Sequence, residues 1–338
     1  MANRFHAFCV LLFLFAGCLV TAQDKQQWVN YPGGEGPGKG KSIVFISGDE
    51  EYRSEESLPM LAQLMAKRYG FNCTVLFSLD PKTGEISPNY PSNIPGLEVL
   101  QKADLMVILT RFRELPDAQM KFIDEYIKAG KPVVGLRTAT HAFHYTKNLG
   151  SPYAKYDWQS KEAGFEYGFG KIVLGETWIN HHGIHGKEGN RALINGIEQD
   201  AKNPLLNGVK DIWTATDVYS VQQLPDANIL IYGQSTNGMT RTAPPNLDKA
   251  VMPVAWTRTY KIPGGQEGRA FATTMGAAVD FQDEDLRRLF VNACLWGVGL
   301  EKQIPEKANV DFVNPFKPTV FGFDGYIKGC FPSKYATK

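Results

Sequence analysis

Between Ser42 and Leu136 the chain alternates short, continuous apolar runs with longer stretches whose apolar residues recur three and four apart. Ser42–Ser47, Cys73–Phe77, Leu105–Leu109 and Pro132–Leu136 are the short runs, and strands buried on both faces read this way. A helix is predicted over Glu55–Tyr69 from Leu58, Leu61, Leu64 and Met65, with Gly70 as its stop. A second helix is expected near Leu97–Lys102. Pro116 opens a third, with Met120, Phe122, Ile123 and Ile127 on its apolar face and Gly130 after its end. Parallel neighbours need a crossover helix, so this alternation predicts an α/β fold with a parallel, doubly wound sheet. Ligands in such sheets bind beyond the carboxyl ends of the strands, which selects the loops after Ser47 and after Leu136.

The second half is less regular. Gly170–Leu174, Ile229–Tyr232, Val254–Thr257 and Arg269–Thr273 are expected strands. A closing helix over Glu284–Val298 would bury Leu286, Leu289, Phe290, Ala293 and Trp296. The Gly- and Pro-rich stretch from Tyr31 to Gly40 reads as a linker, and the segment after Ile304 as an ordered but irregular tail. The division that follows is a leader over 1–22, a linker over 23–40, one domain over 41–300 and a tail over 301–338.

Composition narrows the class. With 43% hydrophobic and 21% charged residues, the chain falls in the soluble globular range, and a net charge of +1 gives no reason to expect a polyanionic partner. No basic run with interleaved aromatics occurs, which sets nucleic acid aside. At the N-terminus, Arg4 precedes an apolar run from Phe8 to Val20, and Val20-Thr21-Ala22 fits signal-peptidase cleavage before Gln23. Export to the periplasm or beyond is the expectation. A lipoprotein anchored at Cys18 is the alternative, because Ala16-Gly17-Cys18 is similar to a lipobox. No other stretch is apolar enough for a membrane span. Cys73, Cys294 and Cys330 remain after cleavage, too few and too odd in number for a disulfide framework.

The candidate chemistry is imidazole. All five histidines beyond the leader lie between His141 and His185. His141 and His144 follow the fourth strand in an expected strand-to-helix elbow, whose apex would be Thr138 or Ala139 rather than a Ser or Cys nucleophile. Arg137 there supplies a fixed cation for a carboxylate, phosphate or developing oxyanion. The second cluster is Trp178-Ile-Asn180-His181-His182-Gly-Ile-His185. Imidazoles suit proton abstraction and return, and they also ligate zinc-like metals. A divalent metal is therefore a candidate cofactor, with His144, His181, His182, His185 and Glu176 as candidate ligands, although no H-E-x-x-H spacing occurs. In the loop after the first strand, Ser54 is expected to cap the helix, with Glu55 and Glu56 favouring its positive end. Glu51, Tyr52 and Arg53 are ligand candidates.

Several separated motifs occur in one order: Trp178–Gly183, Asp211–Tyr219, Pro253–Tyr260, Gly268–Gly276 and Asn292–Trp296. In this the chain resembles the ThuA-like (trehalose utilisation) proteins from about Lys41 to Leu300. The resemblance implies a flavodoxin-like, mostly parallel sheet with helices on both faces, similar to class I glutamine amidotransferases but without their catalytic cysteine. It implies work on a small carbohydrate, a keto-sugar or keto-glycoside, by isomerisation, elimination or hydrolysis. On that reading His141 or His182 is base and acid, and Arg137 or a His-bound metal stabilises the oxyanion. Trp178 stacks on the sugar, and Thr138, Asn180, His181 and the Thr274-Met275-Gly276 turn line the pocket. A non-enzymatic carbohydrate-binding protein and a metal-dependent hydrolase of sugar esters or amides are the alternatives, and a homo-oligomer is compatible with either.

Overall fold

The computed structural model describes residues 26–193, 203–222 and 224–336. The expected leader, with Cys18, lies outside them. Five strands carry the parallel part of a mixed sheet: β2 (Ser42–Gly48), β3 (Asn72–Phe77), β4 (Leu105–Thr110), β5 (Val133–Leu136) and β10 (Glu267–Thr273). They lie side by side in the order β3-β2-β4-β5-β10. The other five are antiparallel additions. β1 (Trp28–Tyr31) pairs with β3 at one edge. Beyond β10 come β9 (Met252–Lys261), β8 (Ala227–Thr236), β6 (Gly189–Leu193) and β7 (Trp213–Thr214).

This corrects the expected topology. Four strand pairs are parallel and five antiparallel, so the sheet is mixed rather than mostly parallel. The physical reason is the spacing of the later strands. β9 and β10 are joined by a short turn around Gly264, which permits only antiparallel pairing. A second correction concerns Gly170–Leu174, expected as a strand. It forms one π-helical turn instead, which Gly170 permits by packing against the Thr140 carbonyl where a Cβ would collide at 1.9 Å.

Helices cover both faces. Alternating side chains of β2 divide between two cores: Ile43 and Phe45 join α1 (Ser54–Tyr69) and α3 (Glu284–Gly297), while Val44 and Ile46 join α2 (Asp117–Lys128). α1 ends as its sequence demands. Gly70 adopts φ 79°, a left-handed cap, and a side chain there would strike the main chain of Gly34 and Glu35. Cys73, Cys294 and Cys330 are buried, unpaired thiols. No helix among the described residues is long and apolar enough to cross a membrane.

The parallel pairing has one functional consequence. β2, β4, β5 and β10 all end on the same edge, so the loops beginning at Asp49, Arg111, Arg137 and Thr274 emerge together.

Candidate active site

Arg137 occupies the apex of the elbow after β5, with φ 39°; the expected positions, Thr138 and Ala139, fall in the short 3-10 turn that follows (Arg137–His141). The strained residue is thus a cation rather than a nucleophile. Its guanidinium is fully buried, between the faces of Tyr52 and Tyr219 at 4.2 and 4.3 Å. It donates to the Thr274 and Asp217 carbonyls (2.8 and 3.2 Å), to the Tyr52 hydroxyl (3.1 Å) and to Asp217 Oδ1 (3.0 Å). Arg137 is a strut under the site: both terminal nitrogens bond the protein, and Nε is sealed without a partner, so none faces a bound oxyanion.

Asp217 is the central acceptor, and the sequence reading assigned it no role. Its side chain is fully buried. Oδ1 faces Arg137 and His185 Nδ1 (3.3 Å), and Oδ2 lies 2.6 Å from His181 Nδ1. Burial pushes its carboxyl up, but the hydrogen bonds from both histidines and the charge of Arg137 outweigh it, holding the group well below the carboxylate range. The isolated bridge between His181 and Tyr219 brings the two loops together. Gly183 lets them touch, since a Cβ there would come within 2.8 Å of the Asp217 side chain.

His185 lies between two carboxylates. Nε2 is 3.0 Å from Glu51 Oε1 while Nδ1 faces Asp217. The bond to Asp217, then that to Glu51, raises its pKa to about 9, so the ring is an imidazolium at neutral pH. Of the three ligand candidates in the first loop, only Glu51 reaches this cluster through a carboxylate. Tyr52 is buried under Arg137. Arg53, the left-handed residue before α1, is spent on the carbonyls of Glu51 (3.2 Å) and Gly322. Ser54 does not cap α1 as expected. It is the first helical residue, and its hydroxyl accepts from the Asp49 amide (3.1 Å) and meets Ser47 Oγ (2.8 Å). Asp49 in turn bolts the two loops together by accepting from Thr138.

His141 is the converse of His185. It is 2% exposed, and burial, reinforced by Arg111 and Arg137, holds it well below the ordinary imidazole value. The ring is therefore neutral. Nδ1 meets Thr140 Oγ1 at 3.1 Å; Nε2 has no hydrogen bond to the described residues, nor is it among the sealed, unsatisfied atoms. Around it stands an aromatic wall. The ring centroid is 5.0 Å from Phe112 and 5.5 Å from Trp178, and Trp158 lies against both. A cavity of about 220 Å³, bounded by Trp158, Tyr167, Thr177, Trp178 and Gln222, opens beside this wall. A roomier cavity of about 780 Å³ adjoins it, sharing Lys171 and Gln222 and reaching Arg258, and another of about 780 Å³ lies between α1 and the tail; no histidine lines any of the three.

The remaining candidates separate. His144 packs on Phe112 and Trp158 and bonds Asp157 (2.9 Å), away from Asp217. His182 turns out of the cluster, its Nε2 on the Ala250 carbonyl at 2.7 Å. Adjacent residues on an extended chain point to opposite sides, so His181 and His182 cannot both face Asp217. Glu176 holds Lys171 (3.3 Å) and the amides of Thr177 and Gln222, and so does not stand with the histidines as a metal ligand. Asn180 bonds Ser220 on the exposed rim. Thr274, Met275 and Gly276 are buried behind Arg137 rather than lining a pocket. The only described His/Cys/Asp/Glu group whose ligating atoms all fall within 4.8 Å is His181, His185 and Asp217.

A family model described as trehalose utilisation (ThuA) matches residues 42–297. No curated protein matches the chain. Among solved structures, a putative ThuA-like protein from Parabacteroides merdae is similar at 14% identity, over 89% of this chain and 100% of its own, with a TM-score of 0.49. Another from Bacteroides uniformis shows 14% identity over 79% of this chain and 95% of its own, with a TM-score of 0.46.

Proposed function

This chain belongs to the ThuA (trehalose utilisation) family, and on that premise we propose that its histidine cluster moves protons on a keto-sugar or keto-glycoside. The reading ties carbohydrate metabolism to one reaction type, abstraction of a proton next to a carbonyl. A ketone at C3 of a sugar acidifies the hydrogen on C2. His141 Nε2 takes that proton, and the C–H electron pair moves onto the carbonyl oxygen as an enolate. Collapse of the enolate then gives one of two outcomes. Transfer of the C2 hydroxyl proton to the former carbonyl oxygen, with return of the abstracted proton to C3, yields the 2-keto isomer. Expulsion of the C1 substituent, its oxygen taking the proton from His141, yields elimination.

The observation that carries this reading is the state of His141: neutral, with one ring nitrogen held by Thr140 and the other free. A base must be unprotonated at working pH, and burial beside two guanidiniums achieves that. Phe112, Trp158 and Trp178 offer flat apolar faces for the C–H surface of a pyranose. Arg111, lying over Phe112 and held by Glu50, is a cation at the rim for the developing oxygen. Export through the N-terminal leader belongs to the same proposal and would place the reaction outside the cytoplasm.

Incubation of the protein with 3-keto-disaccharides, followed by product analysis, tests it. Wild type should turn the substrate over, and His141→Gln should lower kcat by about 10² to 10⁴ with KM little changed. The kcat/KM profile should lack an ascending limb in the ordinary imidazole range, because the base deprotonates below it. Binding by wild type without turnover, or unchanged kcat in His141→Gln, would refute the reading.

A further inference from the structure

We infer that His181, His185 and Asp217 bind one divalent first-row transition ion of the zinc class. Their ligating atoms already converge within 4.8 Å. Nδ1 of His181 and Nδ1 of His185 face the two oxygens of one carboxylate, at 2.6 and 3.3 Å. Ligands held about 2.0–2.1 Å from a tetrahedral zinc stand roughly 3.3 Å from one another. Opening the shorter contact by a fraction of an ångström therefore makes room for the ion. Two imidazoles and one carboxylate select zinc-like ions over magnesium or calcium, which prefer oxygen alone.

The surroundings are those a metal site needs. Glu51 Oε1, 3.0 Å from His185 Nε2, keeps a proton on that nitrogen while the ion displaces the one on Nδ1, so binding releases a proton from the resting imidazolium. Arg137 Nη2 holds Asp217 Oδ1 from below at 3.0 Å, so the carboxylate is aimed before any ion arrives. Both imidazoles keep about a third of their surface open, 31% and 35%, so a fourth position faces solvent. Gly183 supports the geometry by letting the histidine loop close on Asp217. Three protein ligands with one open position is the form of a catalytic rather than a structural ion. In the proposed reaction that position suits the carbonyl oxygen, a role that rests on the preceding reading; binding of the ion does not.

The test uses the full chain, stripped with chelator and titrated with Zn²⁺ by calorimetry and with Co²⁺ by visible absorption. One equivalent should bind, with Co²⁺ giving d–d bands of low coordination number. His181→Ala should abolish those bands, Glu51→Gln should weaken Zn²⁺ about tenfold, and His182→Ala should leave both unchanged. Circular dichroism confirms that each variant is folded, and His185→Gln serves in place of His181→Ala if the latter is not. Absence of saturable binding, or d–d bands that persist in a folded ligand variant, would overturn the inference. The His141→Gln protein separates the two ideas: its Co²⁺ spectrum should be intact. Full turnover with that spectrum present would sink the catalytic reading alone.

Discussion

Glu55 offers a quantitative test of how burial governs this protein. It lies in the first turn of α1, where the helix dipole favours a carboxylate by about 0.3–1 kcal/mol. The sequence suggested a stabilising role on that ground. The structure leaves Glu55 only 5% exposed, with neither carboxylate oxygen accepting a hydrogen bond from another residue. Burial pushes its pKa up from 4.5 to about 8, against smaller opposing effects of its own backbone amide and Arg53. The folded state therefore keeps a proton that the unfolded chain gives up. The contribution of Glu55 to stability is highest below pH 4.5, falls as pH rises towards 8, and is level beyond. At about 1.4 kcal/mol per pKa unit the loss is about 3 kcal/mol by pH 7 and about 5 kcal/mol by pH 8. That exceeds the dipole several-fold. Glu55→Gln has no proton to lose, so it should match wild type at pH 4 and surpass it increasingly towards pH 8. Urea denaturation followed by tryptophan fluorescence at four pH values would read this directly. Parallel curves for wild type and variant across that range would show the reasoning to be wrong.

Two further outcomes follow from the site. Asp217→Asn should cost about 3–5 kcal/mol in urea denaturation, because the fully buried Arg137 loses the carboxylate it faces. A loss below 1 kcal/mol would mean that the two tyrosine faces and backbone carbonyls satisfy Arg137 alone. Trp178→Ala should weaken binding of a disaccharide about fivefold, roughly 1 kcal/mol of stacking, in equilibrium titration; unchanged affinity would place the sugar elsewhere.

The parallel core was legible because its strands are continuous apolar runs, and because Gly70 and Pro116 mark helix boundaries in a way that chemistry dictates. β1, β6 and β7 were not. Asn30, Asn190 and Arg191 interrupt any strand-like pattern, and β7 has only two residues. They exist because neighbouring strands offer them hydrogen bonds, which is tertiary information. Gly170–Leu174 failed for the opposite reason, since a short apolar run fits a buried helical turn as well as a strand. In the site, the crowded histidines separate: His181 and His185 share Asp217, while His141 packs on Trp178 and Tyr219. The partition between His181 and His182 required the local chain direction. Asp217 stood in a quoted motif but gave no sign of its burial, which depends on a bridge between residues far apart in the chain. Arg137 was placed at the right elbow; its occupation by four acceptors could not be read from its neighbours in sequence.

The segment around Phe321–Phe323 packs against the site loops. Phe321 rests on Tyr52 and His185, Gly322 is pinned by Arg53, and Phe323 lies under the Arg111 guanidinium. These residues are among the last to leave the ribosome, after every strand of the sheet. A chain caught midway through synthesis can pair its strands and seat its histidines before these contacts form. Termination near residue 315 would leave every strand of the sheet in place and remove the contacts that Phe321, Gly322 and Phe323 make with the site loops.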